Sequence, residues 1–136
     1  MRKILVTGGA GYIGAHTAVE LLESGFQPVI IDDLSKSDKT LLDGVEQITK
    51  AKNVFYQGDC CDREFLRSVF EKEKGIEAVM HFAAYKSVGE SVEKPLLYYN
   101  NNINSLLSLL EVMSSFGVKN FVFSSSCTVY GEPDQI

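Results

Sequence analysis

The sequence is poor in cross-linkable sulfur and in metal-ligating side chains. Its 3 cysteines are Cys60, Cys61 and Cys127. The adjacent pair cannot close an ordinary bridge and none falls in a C-x-x-C spacing, so no disulfide framework is expected and a reducing, cytoplasmic setting is. The 2 histidines, His16 and His81, have no second ligand or carboxylate at metal or relay spacing, so both read as structural and no metal is expected. No apolar run approaches the roughly 20 residues that span a bilayer, and "MRKILVTGG" is too short an apolar core for a secretory signal. No membrane association is expected. Positive charge is also scarce. With 13 Lys and Arg against 18 Asp and Glu, the net charge is -5, which argues against a nucleic-acid partner because gripping a phosphate backbone takes a surplus of cations. Any phosphate must be held by local devices.

Glycine, by contrast, is present where it is most expensive. Gly8, Gly9, Gly11 and Gly14 crowd into "TGGAGYIG" between an apolar run and an amphipathic one, although glycine loses more backbone freedom on folding than any other residue. Around this segment the chain alternates between two periods. Lys3 to Thr7, "QPVIIDD", "NVFYQGD", "IEAVMHFAA" and "KNFVFSSS" are short apolar runs of the kind buried in a parallel sheet. Between them, helical spacing links Gly14, Ala18, Leu21 and Leu22, with a stop at Gly25. It links Leu41, Leu42, Val45 and Ile48 next, then Phe65, Leu66, Val69 and Phe70 behind an Asp62 N-cap. A last stripe, Tyr99, Ile103, Leu106, Leu107 and Leu110, lies on a long fourth helix opened by Pro95. Glu71 to Gly75 reads as the solvated end of the third helix.

Five strands alternating with four helices, without a tight hairpin, predict one doubly wound α/β domain over residues 1–136, its parallel sheet covered on both faces. Only "CTVYGEPDQI" follows the fifth strand. The chain therefore reads as the N-terminal part of a longer protein, truncated after that strand.

The glycine segment fits G-x-G-x-x-G from Gly9 and G-x-x-G-x-x-G from Gly8. It follows a predicted strand, opens a helix, and is followed 18 residues after Gly14 by Asp32 at the end of the second strand. That context defines a Rossmann-like dinucleotide site: one glycine turns the chain, another admits a diphosphate, and Gly14 is expected to let the helix pack against the sheet. The diphosphate would sit on unpaired amides at the helix N-terminus. Asp32 would accept the adenosine ribose hydroxyls and repel a 2′-phosphate, which selects NAD over NADP.

"TGGAGYIGAHTAVELL", "IIDDLSKS", "GDCCD", "HFAAYKSVGESVEKPLLYYNNNINS" and "FVFSSSCTVYGE" together resemble the N-terminal part of the UDP-galactose (UDP-glucose) 4-epimerases, within the extended short-chain dehydrogenase/reductase family. The likeness covers essentially the whole chain. It implies an isomerase of galactose metabolism that holds NAD tightly, oxidises C4 of a UDP-hexose transiently, and returns the hydride to the other face. It also implies homodimers that pair through helices like the fourth.

Carried over position by position, the resemblance implies cofactor contacts at Gly8, Gly9, Gly11, Tyr12, Ile13 and Gly14, and at Asp32, Asp33 and Ser37 around the second strand. Asp59 and Cys60 would flank the adenine. Phe82, Ala83, Ala84 and Lys86 would line the pocket after the fourth strand, with the Lys86 ammonium near the diphosphate and nicotinamide ribose. Asn101 on the fourth helix would be a polar contact to the nicotinamide side, and Ser124 a cofactor contact at the C-terminal end of the fifth strand, where open α/β sheets place ligands. Ser126 is the expected catalytic hydroxyl, bonded to the sugar 4-oxygen beside a tyrosine that moves the proton.

Three positions depart from the family pattern: Asp33 and Lys36 stand where relatives often carry asparagine, and Ala84 where glycine is common. No Tyr-x-x-x-Lys pair follows Ser126, so the chain alone is expected to bind cofactor without turning over, and the C-terminal domain that grips UDP lies outside it. A rival reading is a nucleotide-sugar 4,6-dehydratase, whose Asp-Glu pair would fall on Cys127 and Thr128 and is not there. A second rival is a non-catalytic dinucleotide sensor.

Overall fold

A computed structural model describes residues 1–125 and 131 of the chain. In chain order its elements are β1 (Arg2–Thr7), α1 (Tyr12–Glu23), β2 (Phe26–Asp32), α2 (Thr40–Thr49), β3 (Val54–Gln57), α3 (Arg63–Lys72), β4 (Ile76–His81), α4 (Val88–Glu93), α5 (Pro95–Ser115) and β5 (Asn120–Phe123). The strands form one parallel sheet in the order β3-β2-β1-β4-β5. The chain starts at the centre, winds outward to β3, then returns beyond β1 to build the other half. Strand order reverses between β1 and β4, so a crevice opens there at the C-terminal ends of the strands, where open α/β sheets bind ligands.

Alternation along the central strands divides the core. Leu5, Val29, Ile31 and Val79 face α3 and α5, where they meet Leu66, Val69, Leu109 and Val112. Ile30 faces the other way, toward Ala15 and Ala18 of α1 and Leu42 and Val45 of α2, and Ile4 and Val6 pack with Leu21 beside them. Each fully buried aliphatic side chain contributes about 1.5–3 kcal/mol, so the strands nearest the crevice are also its most firmly held support. The helix punctuation is as the sequence suggests. The Asp62 carboxylate accepts the Phe65 N–H at 3.0 Å, Pro95 occupies the first turn of α5, and Gly25 takes φ +81° after α1.

Three readings need correction. There is a fifth helix: Val88–Glu93 forms α4, a single short turn-and-a-half that the apolar period did not register because none of its residues is buried. The stripe on α5 points outward. Tyr99, Ile103, Leu107 and Leu110 are exposed, and the buried face consists of Tyr98, Ser105, Ser108, Leu109, Val112 and Met113. Two serines on the core side hid that face from a hydrophobicity count; Ser108 settles there by donating its hydroxyl to the Cys61 carbonyl. At the edge strand β5, Val122 and Phe123 are 49% and 51% exposed, in keeping with the expectation that no helix packs behind the fifth strand. Within Glu71 to Gly75, Glu73 is not simply solvated. It accepts the Tyr56 hydroxyl at 2.7 Å and pairs with Lys3 at 3.0 Å, and the Tyr56 bond leads in holding its carboxyl below the usual range.

Candidate functional site

The site begins with the turn between β1 and α1. Gly8 leaves β1 at φ +68°, and a Cβ there would lie 2.7 Å from the Ala83 nitrogen; only glycine satisfies both demands. The Gly8 and Gly9 amides both donate to the Ile31 carbonyl, at 2.8 and 3.3 Å, which fastens the turn to β2. A methyl at Gly14 would be driven into the Gly8 carbonyl oxygen and would come within 2.6 Å of the Gly9 Cα. Gly14 thus lets α1 close on the turn itself rather than on the sheet. Gly11 differs: its φ is -78° and a Cβ would meet only the Gly8 oxygen, at 3.3 Å. Packing constrains Gly11 less than Gly8 or Gly14: a methyl there would ask the Gly8 oxygen to give by a few tenths of an ångström, with no other described atom that close outside the turn.

What lies outside is an open helix end. α1 starts at Gly11 with no side-chain cap and no acidic residue in its first turn, whereas α3 is closed by Asp62 and carries Glu64. The Tyr12 and Ile13 amides accordingly have no acceptor among the described residues, and the positive end of the α1 dipole faces the crevice. An anion is the group that this end suits.

Asp32 closes the second side. It is 9% exposed. Its Oδ2 accepts the Ala10 N–H at 3.0 Å, while Oδ1 accepts the Leu34 N–H at 2.9 Å and the Ser37 hydroxyl at 2.8 Å. These bonds draw the loop after β2 into a tight bend, with Leu34 in the left-handed region at φ 61°. Asp33 is exposed, and its Oδ1 takes both the Ser35 amide and the Ser35 hydroxyl, at 2.9 and 2.8 Å. Its charge therefore closes its own turn. Lys36 reaches across the mouth to Glu90 at 3.5 Å and lies 5.5 Å from the Tyr85 ring centre. Between the two loops is an open cleft of about 350 Å³ lined by Gly11, Tyr12, Lys36 and Ser37 among others.

Asp59 and Cys60 follow β3. Asp59 is exposed and accepts the Cys61 amide at 2.7 Å. The Cys60 side chain is buried in the α3/α5 core, where burial drives its thiol strongly upward, so the residue can present only its backbone to the crevice. Burial, then the neighbouring Asp59 charge, pushes the Cys61 thiol up to about 11, and its Sγ lies 3.6 Å from the Asn101 carbonyl oxygen.

After β4, Phe82 continues the ladder by donating to the Thr7 carbonyl at 3.1 Å, and Ala83 donates to the Thr7 hydroxyl oxygen at 3.4 Å. That hydroxyl stands 2.6 Å from His81 Nδ1. Burial lowers the His81 pKa to about 4, so the ring is neutral at neutral pH and shares one hydrogen bond with the Thr7 hydroxyl through Nδ1. Phe82 and Ala83 are half-buried; Ala84 and Lys86 are exposed. Asn101, on α5, donates to Asn102 Oδ1 at 3.0 Å. Ser124, just past β5, is exposed and its amide reaches the His81 carbonyl at 3.3 Å. Ser126 and Cys127 lie outside the described residues. The ends of β1, β2, β4 and β5 thus gather the glycine turn, Asp32, Ser37, Phe82, Ala83 and Ser124, while Lys86 lies in the loop after β4 and Asn101 on α5. Sequence reading passed over Thr7, Asn102, Tyr98 and Glu90, which brace that rim. The run "YYNNNINS" offered a signal only in kind, because it does not say which amide points where.

Residues 4–136 match the model of the NAD dependent epimerase/dehydratase family, and the chain belongs to that family. Within it, the chain is 56% identical over 131 residues to the UDP-glucose 4-epimerase of Bacillus subtilis, a match spanning 96% of this chain and 38% of the relative. It is 52% identical over 136 residues to that of Neisseria meningitidis, spanning 100% of this chain and 40% of the relative. The crystal structure of UDP-glucose 4-epimerase from Bifidobacterium longum in complex with NAD+ and UDP superimposes with a TM-score of 0.93 at 46% identity, over 98% of this chain and 40% of that one. The chain therefore spans about two fifths of the length of these relatives. Among the described residues no helix is long and apolar enough to cross a membrane.

Proposed function

We propose that this chain supplies the NAD-binding part of an epimerase that interconverts UDP-galactose and UDP-glucose in the cytoplasm. The observation that carries the reading is the open N-terminus of α1, set 3.0 Å of hydrogen bond away from the Asp32 carboxylate through Ala10. Anion-binding amides and a ribose-binding carboxylate are thereby held as one unit, which fits a dinucleotide. The high identity to named epimerases over nearly the whole chain supports the particular reaction.

In this reading the Tyr12 and Ile13 amides hold the diphosphate and Gly11 lets it approach. Asp32 takes the adenosine ribose hydroxyls with the lone pairs its protein contacts leave free. Asp33 and Ser37 border that ribose, and the Asp59 and Cys60 backbone borders the adenine. The Lys86 ammonium compensates phosphate charge on a chain that is otherwise net negative. Asn101, Ala83, Ala84 and Ser124 border the nicotinamide side, and the Ser126 hydroxyl bonds the sugar 4-oxygen. When bound, NAD supplies reversible hydride acceptance at the sugar C4. Pairing into a homodimer through the exposed apolar face of α5 completes the proposal.

The test is incubation of the purified full-length chain with UDP-galactose. Formation of UDP-glucose without added NADH is expected. A 4-keto-6-deoxy product would replace the reading with a dehydratase, and NAD binding without turnover would replace it with a sensor.

A further inference from the structure

The loop from β4 to α4 carries Lys86, and the next step rests on the reading of Lys86 as a cofactor contact. Lys86 is exposed and takes part in none of the ion pairs among the described residues. Its two chain neighbours are in the opposite state. The Tyr85 N–H donates to Asn102 Oδ1 at 2.8 Å, and the Tyr85 carbonyl accepts from Asn102 Nδ2 at 3.0 Å. On the other side the Ser87 N–H donates to the Tyr98 hydroxyl oxygen at 3.1 Å, and that hydroxyl donates to Glu90 Oε2 at 2.9 Å.

Asn102 and Tyr98 are one turn apart on α5 and so share a face. A primary amide offers one acceptor and one donor side by side, the complement of the N–H and C=O of a single residue. Asn102 therefore does for Tyr85 what a neighbouring strand would do, in a stretch that has no strand. Its orientation is itself fixed, because Oδ1 also accepts the Asn101 amide at 3.0 Å. The Tyr85 and Tyr98 rings meet edge-on at 5.7 Å and close the same contact. A lysine on an unpinned loop would spread its ammonium over a large volume and lose both backbone and rotamer entropy on binding. Pinning the residues before and after it removes the backbone part of that loss.

We infer that Asn102, seconded by Tyr98, is a positioning residue for Lys86: it fixes the peptides on either side so that the ammonium is presented over the crevice. A merely structural clamp would act on stability alone, so the test is a double-mutant cycle on cofactor affinity. NAD is titrated calorimetrically into the apo form of the full-length chain and of Asn102→Ala, Lys86→Ala and the double variant. Lys86→Ala is expected to weaken NAD by about tenfold or more, as loss of a charge-assisted contact should. Asn102→Ala should weaken it several-fold alone and lose most of that effect when Lys86 is already alanine. Additive effects, or a weakened Asn102→Ala beside an unchanged Lys86→Ala, would overturn the inference while leaving the dinucleotide reading intact. Failure of the unaltered chain to bind NAD would bring down that reading and this inference with it. Tyr98→Phe keeps the ring and removes only the hydroxyl; it should show the same dependence on Lys86 with a smaller loss, and it serves where Asn102→Ala lowers the melting temperature.

Discussion

Asp32 and Ala10, 22 positions apart, are joined by a 3.0 Å hydrogen bond from the Ala10 amide to Asp32 Oδ2. The other oxygen holds Leu34 and Ser37, so one carboxylate ties the glycine turn to the loop after β2 while facing the proposed ribose. The sequence alone suggests that replacing Asp32 would touch the cofactor more than the fold; three protein donors on the same group change that expectation. Asp32→Ala should lower unfolding free energy in urea by about 2–3 kcal/mol, the scale for losing bonds to a charged acceptor, and also weaken NAD. In Asp32→Asn one oxygen survives for Leu34 and Ser37 but an NH2 then faces the Ala10 N–H. If calorimetry found unchanged NAD affinity in both variants, the ribose role would be gone and only the structural one would stand.

His81 gives the fold a pH dependence of definite sign. Burial lowers its pKa from 6.5 to about 4, so on acidification the unfolded chain takes up a proton that the folded chain refuses. The stabilisation is complete above the unfolded value, falls as pH drops from 6.5 toward 4, and is lost below that. Linkage puts the decline between pH 7 and pH 5 at about 2 kcal/mol, a window above most carboxylate titration. Urea unfolding of the parent should show this slope, and His81→Asn should flatten it. An equal slope in both would assign the effect to other groups.

The exposed side of α5 carries Tyr99, Ile103, Leu107 and Leu110, an apolar seam at helical spacing that stays between 41% and 63% exposed. Seams of that kind mark interaction surfaces, and a second copy is the proposed partner. Ile103→Glu or Leu107→Glu should shift the full-length protein from dimer to monomer in sedimentation at unchanged helicity, because neither residue supports the core. Sedimentation identical to the parent would place the pairing elsewhere.

The same seam shows where sequence reading succeeded and where it stopped. Strand and helix order was legible because β1 and β2 are buried on both faces at their C-terminal halves, because β3 and β4 also read as short apolar runs, and because Asp62, Pro95 and Gly25 act locally at helix ends. Which face of α5 is buried was not legible. Hydrophobicity counts cannot tell a core stripe from a seam awaiting a partner, and Ser105 and Ser108 are buried by virtue of hydrogen bonds to Asn102 and Cys61. At the site, the place of the glycine turn between β1 and α1 and of Asp32 at the end of β2 was readable from spacing, since both are set by position along the chain. The braces at Thr7–His81 and Tyr85–Asn102 were not, because they join residues 74 and 17 positions apart and exist only once β1, β4 and α5 are side by side.

The glycine turn offers the sharpest separation of fold from function, because two of its glycines face different constraints. At Gly14 a methyl would strike the Gly8 carbonyl and lie 2.6 Å from the Gly9 Cα, both backbone atoms of a turn that is itself bonded to Ile31. Neither can give way without moving β2, so Gly14→Ala should cost about 1–3 kcal/mol, as overpacking a rigid site does. At Gly11 the backbone is already in a region any residue adopts, and the nearest atom is the Gly8 oxygen at 3.3 Å. Gly11→Ala should therefore leave thermal unfolding near that of the parent, with at most a small capping loss of a few tenths to about 1 kcal/mol. Its methyl would instead project where the diphosphate has to approach the Tyr12 and Ile13 amides, and NAD affinity should drop at least about tenfold. The two variants thus make opposite predictions on two measurements, a melting curve and a calorimetric titration. Wild-type NAD affinity in a well-folded Gly11→Ala protein would mean that the anion does not sit on the end of α1.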